Sequence, residues 1–296
     1  MNRSRGNRAF TTFLAVCFAT FVALGFGACI LICIVAFRVH RQGFGALTAG
    51  GNDVRPALVF LALVAAGALA GLWSLRTQWL ATRRLTRRVE ALSIPMRPDL
   101  AHGCERCGLA GRVDLVEAAE PFSFTYGIVP SRIAVSRGLV EAMSASELDA
   151  VLEHEHYHLR NRDPLKVLLT RSLTPALFFL PALREFRTRY VTGRELAADR
   201  RALRRHGQRS LAGALYKVVA GPTWVELAPA AAIGGGDALD ARVTQLETGS
   251  EPSAPPLSRR AMILSGVGTA ALLSSFLASL YAFGGPSALA RLCGGS

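Results

Sequence analysis

The sequence predicts a predominantly helical α+β protein with several membrane-spanning helices and one cytoplasmic domain that carries a few short strands. Three observations predict it. Three long apolar runs lack any charged side chain, arginines gather beside those runs, and residues 76–260 between the second and third runs show both helical periodicity and short alternating stretches. Mean hydropathy is +0.30 and 51% of residues are hydrophobic, values that suit membrane segments joined to an ordinary domain.

The first run, Ala9 to Phe37, has 29 uncharged residues, and the second, Pro56 to Leu75, has 20. The third extends from Ala261, with its apolar part ending near Phe283, before Gly284, Gly285 and Pro286. A spanning helix needs ~20 apolar residues, so all three qualify. The first is too long for the ~7–15-residue apolar core of a signal peptide and reads as a retained span.

Net charge is +13, and every basic residue except Lys166 and Lys217 is arginine. Arg76, Arg83, Arg84, Arg87 and Arg88 follow the second run, and Arg259 and Arg260 precede the third. Loops rich in arginine beside spans stay on the cytoplasmic side. The expected path starts inside, leaves, returns near Arg76 and leaves again after Arg260, which places the chain in the cell membrane as a multi-pass protein. Attraction to anionic lipid headgroups accounts for the surplus arginines, so no direct nucleic-acid partner is expected.

These readings divide the chain into residues 1–75 (two spans, about 10–37 and 56–75, with a short external loop), 76–247 (the cytoplasmic domain), 248–260 (a linker), 261–283 (the third span) and 284–296 (a short tail). Within the domain, "ATRRLTRRVEALS" reads as an amphipathic helix leaving the membrane. Cys104 and Cys107 form a C-x-x-C with His102 just before it. Three ligands are too few for a structural zinc site, so a loop with reduced thiols is expected. Cys17, Cys29 and Cys33 fall in the first span and Cys293 in the tail, which suggests no disulfide framework.

"PFSFTYGIVPSRIAVSRG" alternates, with Phe122, Phe124 and Tyr126 on one face and Ile133 and Val135 beyond a Val-Pro-Ser turn, so two short strands joined by a turn are expected. The edge of the first could take an extended peptide, and an ordinary half-buried strand explains it equally well. Ser144 with Glu147 three residues on forms a capping box that opens a helix over "LEHEHYHLRN". "RYVTGRELAADRRALRRHG" reads as another helix, stopping at Gly207.

Three of the six histidines fall between 154 and 158. His154 and His158 are four apart and share a helix face, so they can bind one metal ion, with Glu155 beside them. His156 points elsewhere. Catalytic zinc takes three protein ligands and keeps one position open. Glu195 on the later helix can be the third ligand, and Asp199, one turn on, can fix the tautomer of a ligand histidine. The plainer reading of these two acids is a salt bridge to Arg194, Arg200 or Arg201, which would leave the histidine pair incomplete. The expected cofactor is one Zn²⁺ per chain.

Zinc lowers the pKa of a water molecule to ~7 and polarises a carbonyl, and Glu155 can take the water's proton and pass it to a leaving amine. The expected reaction is peptide-bond hydrolysis of a protein substrate. Tyr126, Tyr190 and His206 are candidates for stabilising the oxyanion. His158 and Glu195 must lie on one side of the bilayer, so the uncharged stretch inside 167–183 cannot be a single crossing. An interfacial or re-entrant element is expected there, holding the site close to the bilayer.

"SASELDAVLEHEHYHLRNRDPL" with "RELAADRRAL" resembles the membrane-embedded gluzincins, most nearly the BlaR/MecR-type peptidases and more distantly the HtpX and CAAX-prenyl protease group. The likeness covers roughly residues 100–247. It implies a zincin-like (gluzincin) peptidase domain facing the cytoplasm, zinc on His154, His158 and Glu195, and Glu155 as base. It also implies regulated proteolysis, with a transcriptional repressor as one candidate substrate. The best-known members carry an external penicillin-binding domain; here no S-x-x-K occurs and about a dozen residues follow the last span. Direct beta-lactam sensing is therefore not expected, and a separate sensor or a different signal would be needed. The alternatives are a membrane-protein quality-control protease and, in another class, a non-catalytic zinc-binding signalling scaffold. Oligomeric state is not encoded in these patterns.

Overall fold

The computed structural model describes residues 5–43, 55–219 and 236–292. The expected external loop falls largely outside these residues, as does Cys293. The described elements are α1 (Arg5–Gln42), α2 (Arg55–Ala91), β1 (Ser93–Ile94), α3 (Pro98–Arg106), β2 (Val113–Val116), β3 (Ser123–Tyr126), β4 (Arg132–Ser136), α4 (Arg137–Ala142), α5 (Ala145–Arg160), α6 (Asp163–Ala176), α7 (Ala182–Val219), α8 (Gly236–Thr248) and α9 (Arg259–Leu292). Helix predominates. Three helices, over Arg5–Arg41, Arg55–Ala91 and Arg259–Phe283, are long and apolar enough to cross a membrane.

The chain divides into two compact units. One contains the described parts of Thr12–Ser74, Ser172–Glu185 and the chain from Pro256. Leu31, Phe60 and Leu272 form its buried centre, and the Phe60 and Phe276 rings lie 5.5 Å apart. Ser275 Oγ donates to the Pro56 carbonyl at 2.8 Å. The stretch around 172–183 forms the end of α6, a turn and the start of α7. Gly67 and Gly71 make room for this corner: a Cβ on Gly67 would sit 2.5 Å from the Ala176 carbonyl oxygen. The corner is pinned where the Ala182 N–H donates to Ser265 Oγ at 3.1 Å.

The other unit comprises residues up to Thr11, Leu75–Arg171 and Phe186–Pro255. Its sheet runs β1-β2-β4-β3, with β2 and β4 parallel and the outer pairs antiparallel, so β3 is an edge strand. Register alternates the faces. Ile133 and Val135 of β4 join Leu115, Leu148 and Leu152 in a core between the sheet, α3 and α5. Ala134, Phe124, Tyr126 and Phe122 join Val89 and Val116 on the opposite face.

Ser144 and Glu147 form a complete capping box at the start of α5, with the Ser144 N–H donating to Glu147 at 2.8 Å. This fixes where the helix begins and hence which face His154 and His158 occupy.

"ATRRLTRRVEALS" is helical as expected and continues α2 without a break to Ala91, because its arginine-rich turns remain good helix formers. Cys104 lies in α3 and Cys107 caps it; both are buried rather than in a loop, because helical spacing turns them with Leu100 into the core. The helical geometry of α7 is interrupted at Gly207, as expected: the glycine adopts φ 80° and ψ 168°, which ends the first helical stretch, and a second runs on to Val219. The third apolar helix reaches Phe283, where the span was expected to end, and α9 continues as helix to Leu292. The strands β1 and β2 were not anticipated.

Candidate active site

The site is assembled from α5, α6, α7, α8 and β3 around a cleft of about 350 Å³ lined by His154, Glu155, His158, Glu195, Arg194 and Arg242, with Ser123 to Gly127 along one wall. His154 and His158 turn their Nε2 atoms toward each other, 3.1 Å apart. Glu195 faces both, with Oε2 3.4 Å from His154 Nε2 and Oε1 3.7 Å from His158 Nε2.

The other nitrogen of each ring meets a carboxylate. His154 Nδ1 lies 2.8 Å from Asp199, and His158 Nδ1 lies 2.7 Å from Asp163. With protons held on the Nδ1 atoms, the two Nε2 lone pairs face each other and Glu195. That arrangement is repulsive without a cation at its centre. A tetrahedral zinc ion with bonds of ~2.0–2.1 Å spaces its ligand atoms by ~3.3 Å. The observed separations bracket that value, so these residues fit the ion.

Further carboxylates and arginines lock these side chains. Asp199 is fully buried and accepts two hydrogen bonds from Arg242, at 2.6 and 2.9 Å. Asp163 accepts from the Tyr190 hydroxyl at 2.9 Å. Arg194 Nε lies 3.1 Å from Glu195. In the metal-free protein burial opposes charge on His158, but Glu195 and Asp163 outweigh it and lift its pKa to about 10. Burial likewise opposes the Glu195 charge, and His158, Arg194 and His154 overcome it, holding the carboxylate well below its ordinary range.

Glu155 takes its partners from the edge strand. Ser123 Oγ donates to Oε1 at 3.1 Å and Thr125 Oγ1 to Oε2 at 2.8 Å.

The structure thus brings His154, Glu155, His158, Glu195 and Asp199 together. The three oxyanion candidates are placed elsewhere or engaged. The Tyr126 hydroxyl donates to Asp114 at 2.6 Å, and burial followed by that carboxylate raises its pKa. Tyr190 is fully buried on Asp163. His206 lies with Cys107 and Glu153, a second group close enough for a metal. There, however, Arg201 and Arg205 already pair with both oxygens of Glu153. Burial pushes the Cys107 thiol up to about 12.

Asp163, Arg242, Ser123 and Thr125 were not singled out from sequence. Only the strand pair carried a signal: positions alternating with Phe122, Phe124 and Tyr126 had to face the other way.

A family model described as BlaR1 peptidase M56 matches residues 49–246. Among curated proteins, the chain is 44% identical over 69 residues to a protease HtpX homolog of Thermoplasma acidophilum, covering 23% of this chain and 22% of that one. It is 42% identical over 71 residues to the homolog of Aeropyrum pernix, 23% of this chain and 22% of the relative. For the homolog of Aquifex aeolicus the figures are 35% over 71 residues, 23% and 24%. The chain thus spans less than a quarter of the length of these relatives. The family match covers well over half of the chain and includes every side chain of the site, Arg242 among them. On that match the chain belongs to the BlaR1 peptidase M56 family.

Proposed function

We propose that the chain is a zinc-dependent endopeptidase of the cell membrane, with residues 76–247 in the cytoplasm, acting on a cytoplasmic or membrane protein in regulated proteolysis. Family membership and the relatives' description as proteases support proteolysis. The observation that carries the zinc assignment is the near-tetrahedral spacing of His154, His158 and Glu195 beside a carboxylate that is not part of the set.

When bound, zinc supplies Lewis acidity, lowering the pKa of water to ~7 and polarising a carbonyl. His154, His158 and Glu195 hold the ion. Asp199 and Asp163 keep the rings turned inward, which is how carboxylates behind ligand histidines act. Glu155 takes a proton from water and delivers it to the departing amine nitrogen. Val151 and Val167, both buried, give the cleft apolar lining beside these polar groups. The resemblance to BlaR/MecR-type proteins makes a repressor the substrate class to try first.

The test uses full-length protein in detergent with fluorescein-labelled casein. Cleavage should stop on treatment with 1,10-phenanthroline and return with zinc. Cleavage indifferent to the chelator would remove zinc from the reading.

A further inference from the structure

We propose that Ser123 and Thr125 are positioning residues that hold the Glu155 carboxylate in its working orientation toward the cleft. This rests on the peptidase reading above.

The register of the sheet sets their direction. Ser123 pairs with Val135 and Thr125 with Ile133, whereas Phe124 pairs with Ala134. Val135 and Ile133 lie fully buried in the core shared with α5. The side chains of Ser123 and Thr125 therefore stand on the face of β3 turned to α5, and Phe124 stands on the opposite face. At the same level of β4, packing selects two branched apolar residues. Serine and threonine on β3 forgo that apolar packing and place two hydroxyl donors against one carboxylate.

Glu155 is buried, at 6% exposure, so its oxygens need hydrogen-bond partners from the protein. Glu195 and Asp199 draw theirs from arginines. Among the described residues Glu155 has no such ion pair, and the two hydroxyls bind one oxygen each. Thr125 Oγ1 also lies 3.2 Å from the Glu155 carbonyl oxygen, and its single proton goes to the nearer carboxylate. A β-branched side chain is stiff about its first torsion, so this hydroxyl is a fixed post. A carboxylate offers roughly four lone-pair positions. Two hydroxyl bonds fix its plane and leave the remainder for a proton arriving from the cleft. A base held this way stays within the narrow angular range that proton transfer needs.

The experiment uses full-length protein in detergent, with Thr125→Val, Ser123→Ala, the double variant and Thr125→Ser. Valine preserves shape and strand preference and removes only the donor. Labelled casein reports kcat and KM, and infrared spectroscopy reports the Glu155 carboxylate stretch, isolated by difference against Glu155→Gln. Zinc content and thermal midpoint are recorded for each protein.

The double variant should lose ~10–100-fold in kcat, the scale of a misplaced catalytic group, with KM and zinc content held. Thr125→Ser should restore most of the rate, and the carboxylate band should shift in the double variant. An unmoved band together with unchanged kcat would overturn the assignment. So would a rate loss that merely tracks a lost folded fraction while the band of the folded protein stays in place. If wild-type protein fails to cleave casein, the peptidase reading falls, and the infrared band alone decides whether the hydroxyls hold Glu155.

Discussion

Arg242 grips Asp199 with two hydrogen bonds, at 2.6 and 2.9 Å, directly behind the ring of His154. The pair joins α8 to α7 across more than forty residues of sequence and sets the position of one proposed zinc ligand. Asp199 is fully buried, so removing Arg242 takes away two hydrogen bonds and leaves the carboxylate facing the His154 imidazole.

Arg242→Ala should therefore destabilise the domain by ~3–5 kcal/mol, the usual cost of breaking a buried pair from one side. Urea unfolding of the metal-free protein measures it. Arg242→Lys should recover only part, since an ammonium cannot make the two-pronged contact.

Asp163 does for His158 what Asp199 does for His154. Asp163→Ala should weaken zinc binding ~10–100-fold, as loss of a carboxylate behind a ligand histidine does. Tyr190→Phe removes only the hydroxyl that donates to Asp163 and should cost ~0.5–1.5 kcal/mol, with zinc affinity near wild type. Competition against a zinc-responsive dye separates the two.

Zinc binding should release protons at neutral pH. Without metal, Glu195 and Asp163 raise the pKa of His158 to about 10, so this imidazole keeps a proton that a metal must displace. Affinity should rise with pH through the neutral range. Calorimetry at pH 7 in buffers of different ionisation enthalpy gives the proton count; an apparent enthalpy independent of buffer would contradict it.

The proposed orientation has its own test. A reporter fused after Leu92, or within residues 248–256, should report the cytoplasm. A reporter placed there that reads as external would reverse the orientation, while the geometry of the zinc ligands would stand.

Much of the site was legible because it is local. Helical spacing puts His154 with His158 and Glu195 with Asp199, each four apart, and the capping box at Ser144 fixes the first helix. The apolar runs were legible because a bilayer imposes length and charge rules directly on sequence. What was missed depends on tertiary placement. Asp163 lies past the end of α5 and returns to His158 only through the turn into α6. Arg242 comes from a distant helix that periodicity could locate but not aim. Tyr126 was nominated for chemistry, yet strand alternation places it with Phe124 on the face away from Glu155; the same alternation implicates Ser123 and Thr125. The Cys104–Cys107 pair was expected in a loop with reduced thiols, and helical packing makes it part of the core.

The most direct measurement compares casein cleavage by wild-type and Glu155→Gln protein, both full length and both shown to carry zinc. The substitution exchanges a carboxylate oxygen for an amide and leaves His154, His158 and Glu195 untouched. The account predicts that cleavage falls by a factor of at least ~10²–10⁴, the contribution of a positioned acid–base group, with zinc content and thermal midpoint unchanged. Cleavage surviving in Glu155→Gln while His154→Ala abolishes it would contradict the account: the metal site would be needed, but Glu155 would not be the base.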